Sequence, residues 1–254
     1  VSARVLAYSP VESERFGFRV FRGSAERIDV AALRDEIDDS KVDIAIVRVP
    51  AGAMNLVATL DASGLPSLVA DALVHYAGNV ATLDTEPPRD ATLRLYPIVE
   101  ADRDTLASTA RAVFDGYVSH YHANRLFDRA KVLDGYVEWA SRFATGEVAG
   151  CEAALIDSGG EIAGFSCIET TRDGAEMRGI LNGVLPAFRG RGVYRDMLRT
   201  LLRRCRDAGI GRFSIATQVQ NVAVQRVWMS EGLMIERAEA TIHIDARRSA
   251  YAGR

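Results

Sequence analysis

The sequence predicts an α/β (α+β) chain in two parts, a small N-terminal α/β domain followed by a larger one. Three observations predict it. Short β-branched and aromatic runs alternate with amphipathic segments along the whole chain. The stretch "LDTEPPRDAT", Leu83–Thr92, breaks that alternation with two prolines and four charges; Pro87-Pro88 neither continues a helix nor donates to a central ladder. Beyond it, hairpin-paired strands lead into a glycine-rich turn that opens onto a long helix. The expected division is therefore a domain over 1–84, a linker over 85–91 and a second domain over 92–254.

In the first part, "RVLAYSP", "FGFRVFR" and "VDIAIVRV" read as strands. Between the last two, "DVAALRDEIDD" is a short amphipathic helix with Asp29 as its N-cap. "NLVATLDASG" is a helix closing at Gly64, and "DALVHYAG" a further strand. In the second part, "TLRLYPIV" is a strand and "ADRDTLASTARAVFDG" a helix ending at Gly116. "DRAKVLDGYVEWASRFATG" is a helix whose Val132, Tyr136, Trp139 and Phe143 fall at helical spacing. "CEAALID" and "IAGFSCIET" are strands paired through the hairpin signal "SGGE". "AEMRGILNGVLP" is a strand, Val193–Ala208 a helix, "RFSIAT" a strand and Asn221–Glu231 a helix. Two last strands, "LMIERAE" and "TIHIDA", complete the order.

The chain's 254 residues, 48% hydrophobic and 26% charged, suffice for a buried core. No apolar run approaches the eighteen or so residues of a membrane span, and "VSARVLAYSP" lacks the apolar stretch of a secretory signal. The three cysteines, Cys151, Cys167 and Cys205, have no paired spacing. A disulfide framework or metal site is not expected, and a reducing, cytoplasmic setting is. Cys205 sits on an apolar helix stripe, where a buried thiol is favoured over a nucleophile. The net charge of −3 argues against a general nucleic-acid binder. Residues 1–90 hold 9 basic and 14 acidic residues and 91–254 hold 22 and 20, and the arginines of the second part cluster near "FRGRGVY". That distribution suits a local anion site.

The motif "LPAFRGRGVYRDML", Leu185–Leu198, carries the chemistry. Met197, Leu198, Leu201, Leu202 and Cys205 form one face of the helix, and Arg195, Arg199 and Arg203 another. The helix N-terminus presents unpaired N–H groups and partial positive charge, with glycines in front of it. Arg189 and Arg191 add full charge. A phosphate or pyrophosphate suits this arrangement; a plain glycine turn flanked by solvated arginines is the competing explanation. No Gly-Lys-Ser/Thr follows, so this is not a Walker motif, and its place in the chain is not that of a dinucleotide fingerprint.

The element order with "VLPAFRGRGVY" at its centre resembles the GNAT superfamily of acyl-CoA N-acyltransferases. The family loop Arg/Gln-x-x-Gly-x-Gly/Ala is matched by Arg189-Gly190-Arg191-Gly192-Val193-Tyr194 except at its end, where Tyr194 replaces a small residue. The family element Asn-x-x-Ala-x-x-x-Tyr-x-x-x-Gly-Phe corresponds to Asn221–Leu233; Asn221 and Gly232 agree, while Val224 and Trp228 replace the alanine and tyrosine. The resemblance covers about residues 92–246. It implies a mixed, mostly antiparallel central sheet and acetyl-CoA as co-substrate. The loop amides of Arg189–Tyr194 would bind the CoA pyrophosphate. Val184 and Leu185 would pair with the pantetheine arm, and Asn221 would contact it. Arg195 and Arg199 would either reach the 3′-phosphate or form a solvated face.

Within the superfamily, "SPVESERFGFRV" and "GYVSHYHANRLFDRAKVLDGYVEWA" look like dTDP-fucosamine N-acetyltransferases, which acetylate the 4-amine of a dTDP-linked dideoxyhexose. Their motif near Asp-Ser-Glu-Phe-Phe-Gly is close to Glu12–Gly17. Their loop Ser-x-Phe/Tyr-His-x-Asp-Pro is matched by Ser119–Arg125, with Asn124 and Arg125 in place of Asp-Pro. The resemblance implies a nucleotide-linked amino sugar as acceptor, with Tyr121 and Phe16 as substrate-binding residues. His120 and His122 are either proton acceptors near pH 7 or loop-packing residues, and His122 is the chosen general base. Trp228 cannot take the family tyrosine's place as acid, since an indole N–H is not acidic; it either donates a hydrogen bond to sulfur or fills core space. Another small-molecule or protein amine, or acyl-CoA sensing without catalysis, are the competing functions. No membrane or nucleic-acid partner is expected, and a homodimer is left open.

Overall fold

The computed structural model describes residues 4–83, 86–144 and 149–248. They contain ten strands and seven α-helices: β1 Leu6–Tyr8, α1 Pro10–Phe16, β2 Val20–Ser24, α2 Val30–Ser40, β3 Ile44–Pro50, α3 Leu56–Ala62, β4 Ser67–Asn79, β5 Arg94–Pro97, α4 Arg103–Phe114, α5 Arg129–Ala144, β6 Cys151–Ser158, β7 Glu161–Thr170, β8 Glu176–Val184, α6 Val193–Asp207, β9 Arg212–Gln218, α7 Val222–Ser230 and β10 Met234–Asp245. The end of the predicted helix at Thr145 and Gly146 lies outside the described residues. Pairing is antiparallel for β1–β2, β3–β10, β5–β6, β6–β7 and β7–β8, and parallel for β2–β3 and β8–β9. The sheet is thus mixed and mostly antiparallel.

Two compact units divide the chain differently from the boundary expected at 85–91. One comprises Val1–Val74, Val118–Lys131 and Arg237–Arg254, the other His75–Tyr117 and Val132–Glu236. The backbone of the proline-rich stretch is not a free tether. The buried Asp196 carboxylate accepts from the N–H groups of Arg89 (2.9 Å) and Asp90 (3.0 Å), and Arg199 donates to the Pro87 carbonyl (3.2 Å). Composition reveals the prolines but not these acceptors one hundred residues away.

In the first unit the strand order is β1-β2-β3-β10-β4. Alternate residues of β3 (Ala45, Val47, Val49) and β10 (Ala240, Ile242, Ile244) form the core with Leu33 and Ile37 of α2 and Leu60 of α3. Asp29 caps α2 as expected, accepting from the Ala31 and Ala32 N–H groups at 2.9 and 3.2 Å. Two expectations fail here. "FGFRVFR" becomes a strand only from Val20, because Pro10 at the first helical turn starts α1 and Gly17, at φ +74°, ends it. The two final strands are one, since no breaker separates them and Ala240 between them is buried.

In the second unit the order is β4-β9-β8-β7-β6-β5. Leu106, Ala110, Val113 and Phe114 of α4 and Ala140 of α5 pack on Ala153, Leu155, Phe165, Cys167 and Leu181. The apolar stripe of α6, Met197, Leu198, Leu201, Leu202 and Cys205, is wholly buried, and α6 packs on β8 and β9.

Candidate active site

The site begins with an irregularity in β8. Against β7, Cys167 faces Leu181 and Ile168 faces Gly179, so Ile180 is an extra residue, a β-bulge. The bulge reverses which face the side chains take. Met177 lies against α6, 3.4 Å from Cys205 Sγ, whereas Leu181 belongs to the α4 cluster. Had the alternation continued unbroken, the two would share a face.

The parallel pairing with β9 stops at the same point. It runs from Glu176↔Arg212 to Gly179↔Ile215 and goes no further, although β8 continues to Val184 and β9 to Gln218. On its other edge β8 stays paired to β7 through Gly164↔Val184. The two parallel strands therefore diverge, leaving about 16 Å of the β8 edge from Ile180 to Val184 facing a cleft. Val184 lies at the open end of that edge; the Leu185 N–H is taken by the Ala163 carbonyl (2.8 Å).

At the mouth stands the N-terminus of α6. Gly190 and Gly192 sit at φ +77° and +89°, where an L side chain is strained. A Cβ built on either meets nothing within 4 Å, so the space in front of the helix is open. Gly192 is the N-cap and offers no side-chain acceptor to the amides of the first turn, Val193, Tyr194 and Arg195. These donors suit an anion. The arginines beside them are arranged otherwise than a simple charge count suggests. Arg189 folds back, donating to the carbonyls of Val184 (3.4 Å) and Val113 (3.2 Å). Arg191 lies over the Phe188 ring at 5.3 Å. Arg199 is not on a solvated face: it is buried in a two-bond ion pair with Glu231 (2.8 and 3.1 Å). Arg195 donates to Ser230 Oγ at 3.1 Å.

Tyr194 and Trp228, the departures from the family motifs, meet. The Trp228 indole N–H donates to the Tyr194 hydroxyl at 3.2 Å. Trp228 is 1% exposed and packs edge-on to Tyr76 (5.2 Å), and burial raises the Tyr194 phenol above its ordinary range. Asn221 is the N-cap residue of α7, and its amide donates to Thr217 Oγ1 (3.1 Å). Cys205 is buried and its thiol is pushed up to about 11 by desolvation, which makes it a packing group rather than a nucleophile.

The remaining expected residues gather in the first unit. Tyr121 donates to the buried Glu12 carboxylate, and its ring contacts Phe16 at 5.5 Å, Phe127 at 5.3 Å and His120 at 3.9 Å. His120 Nδ1 and His243 Nε2 are 2.9 Å apart, and Asn124 lies 3.4 Å from His243 Nδ1. Burial holds both rings neutral: His243 falls to about 3 and His120 well below its usual value, each chiefly through desolvation. His120 is thus a packing residue. His122 Nδ1 accepts the Ser119 backbone N–H at 3.1 Å.

Sequence reasoning did not find the Ile180 bulge, the β8–β9 divergence, Tyr117 or Gln218. Two glycines within one short strand, Gly179 and Gly183, were the available signal. Among the described residues, no group of His, Cys, Asp or Glu could hold a metal ion, and no helix is long and apolar enough to cross a membrane.

Residues 114–232 match the model of the acetyltransferase (GNAT) family. No curated protein matches the chain. Solved structures similar in fold include a functionally unknown conserved protein from Staphylococcus epidermidis, at 10% identity and TM-score 0.64 over 96% of this chain and 92% of that one. A GCN5-related N-acetyltransferase from Kribbella flavida is 14% identical with TM-score 0.57 over 89% and 81%. A tandem GNAT protein from the clavulanic acid biosynthesis pathway is 15% identical with TM-score 0.60 over 89% and 75%. At these identities the likeness is one of fold.

Proposed function

We propose that the chain, whose residues 114–232 carry the GNAT acetyltransferase match, transfers an acetyl group from acetyl-CoA to an amine by direct attack in a ternary complex. The observation that carries this reading is the divergence of β8 and β9 beyond Gly179↔Ile215, next to the uncapped N-terminus of α6. The amides of residues 191–194 hold the pyrophosphate, and the open β8 edge up to Val184 pairs with the amide groups of the pantetheine arm. A backbone N–H on that edge stabilises the oxyanion as the amine attacks the thioester carbonyl. The attacking nitrogen gives up a proton to water, the carbon–sulfur bond breaks and the thiolate leaves. Its proton comes from water in this reading, because the Trp228 N–H is engaged by Tyr194 and is not an acid.

The acceptor we assign is the amine of a nucleotide-linked sugar, of the dTDP-4-amino-4,6-dideoxy type. Its support is the resemblance of Glu12–Gly17 and Ser119–Arg125 to sugar-nucleotide N-acetyltransferases. These stretches, some one hundred residues apart in sequence, share one buried cluster through Tyr121, Glu12 and Phe16. A second reading, acyl-CoA binding without turnover, is favoured by the burial of Trp228 where the family has a tyrosine.

The test combines calorimetric titration with acetyl-CoA and a thiol-release assay with dTDP-4-amino-4,6-dideoxyhexoses, spermidine and an aminoglycoside. Binding with thiol release on a sugar epimer is expected. Turnover of spermidine or the aminoglycoside alone replaces the acceptor, binding without any release selects the second reading, and no binding overturns the proposal.

A further inference from the structure

We infer that Tyr117, tied to Gln218, limits the acyl donor to short chains; the inference rests on the acyl-CoA reading above and adds a residue and a size limit to it. The tie is built from three observations. First, the end of α4 is fixed to the end of β8. A Cβ on Gly183 would stand 2.1 Å from Val113 Cγ1, so only glycine admits this approach, and Arg189 clasps the Val113 and Val184 carbonyls together. Second, Tyr117, three residues beyond α4, donates its phenolic proton to Gln218 Oε1 at the last residue of β9. Third, Gln218 is itself only 8% exposed, and Gln225 Nε2 donates to the adjoining carbonyl of Val219 at 2.8 Å. Tyr117 therefore links, through α4, the ends of the two strands that diverge after Gly179 and Ile215.

The level of the tie sets the depth available. Asn182 and Gln218 each lie three residues past the last paired positions, about 10 Å from the apex of the cleft. An acyl chain passing that level meets three walls. At the apex the strands are hydrogen-bonded to each other. On the α4 face stands an aromatic group: Tyr117 against Phe114 (5.4 Å) and Tyr136 (5.6 Å), Phe114 stacked on Tyr136 (4.6 Å) and edge-on to Phe165 (5.9 Å). On the other face α6 packs on β8 and β9. An acetyl group fits in front of these walls and a chain of eight carbons does not.

The experiment measures binding of CoA, acetyl-CoA and octanoyl-CoA to the full chain by calorimetry. The wild type is expected to bind octanoyl-CoA at least tenfold more weakly than acetyl-CoA. Tyr117→Ala is expected to raise the octanoyl-to-acetyl affinity ratio at least tenfold. Gln218→Ala, which removes the anchor and leaves the aromatic ring, is expected to raise it in the same direction and serves if Tyr117→Ala does not fold. Equal affinity of the wild type for the two acyl-CoAs overturns the size limit while leaving the acyl-CoA reading in place. An unchanged ratio in a folded variant does the same for the role of the tie. Failure to bind CoA itself overturns both.

Discussion

Replacing Gly192 by valine tests the anion cradle most directly. Gly192 adopts φ +89° at the N-cap of α6, a conformation that costs an L residue about 1–2 kcal/mol. A valine Cβ there points into open space, with no protein atom within 4 Å, so the fold loses only the backbone term, a fall of about 2–8 °C in Tm for a chain of this size. The loss for the ligand is larger. Either the loop keeps its shape and an isopropyl group stands where the pyrophosphate lies, or it relaxes and turns its amides away. Two charge-assisted amide–phosphate bonds at about 1.5–3 kcal/mol each amount to at least a hundredfold in affinity. The matched control is Gly174→Val, at φ +68° with nothing within 4 Å of its Cβ, in the turn at the far end of β8. Calorimetry with acetyl-CoA and thermal melts of both variants decide the matter. If Gly192→Val binds acetyl-CoA within threefold of Gly174→Val, the cradle is not at α6.

Three further outcomes follow from the same geometry. Arg199→Met strips two hydrogen bonds from the buried Glu231 carboxylate, whose remaining ion pair is with Arg195 at 3.2 Å, and should cost about 3 kcal/mol in chemical denaturation, part of it restored by adding Glu231→Leu. The His120–His243 pair is held neutral by the fold, so the unfolded chain binds protons that the folded one does not; stability is full above about pH 6.5 and falls as the pH drops towards the folded value of about 3 for His243. At pH 4.5 His243 alone should account for about 3 kcal/mol of lost stability, and urea melts across pH 4.5–7.5 should show this slope reduced in His243→Gln. Trp228→Phe removes the donor to Tyr194 and should lower stability by about 1–3 kcal/mol. The same change should leave the rate of thiol release within threefold, whereas a tenfold fall would make the indole part of the chemistry.

The order of elements was legible because local signals and tertiary structure agree. Asp29 caps α2, the apolar stripe of α6 is buried, and Arg189-Gly190-Arg191-Gly192 precedes an uncapped helix. What was not legible depends on partners distant in sequence. The proline-rich stretch became structure through Asp196 and Arg199, and Arg199, evenly spaced with Arg195 and Arg203, was drawn inside by Glu231 at the C-cap of the following helix. The β8–β9 divergence had no periodic signature, because one extra residue at Ile180 alters hydrogen bonding without altering composition. Tyr117 follows the Gly116 helix stop with no local signal of its own, because its partner Gln218 lies about one hundred residues further on.

Tyr194 and Trp228 show how two departures from a motif can be a single fact. Taken separately, each weakens the match: a bulky residue at the helix start, and an indole where an acid is expected. In the fold they are donor and acceptor of one hydrogen bond, with Tyr76 against the indole. The phenol at 194 gives the buried indole N–H the partner it requires. The bond ties the first turn of α6 to α7, beside the N-terminus that an anion needs. It supplies no acidic proton at position 228. Binding and proton supply are therefore separable in this chain, and only the first depends on the α6 terminus that the pair supports.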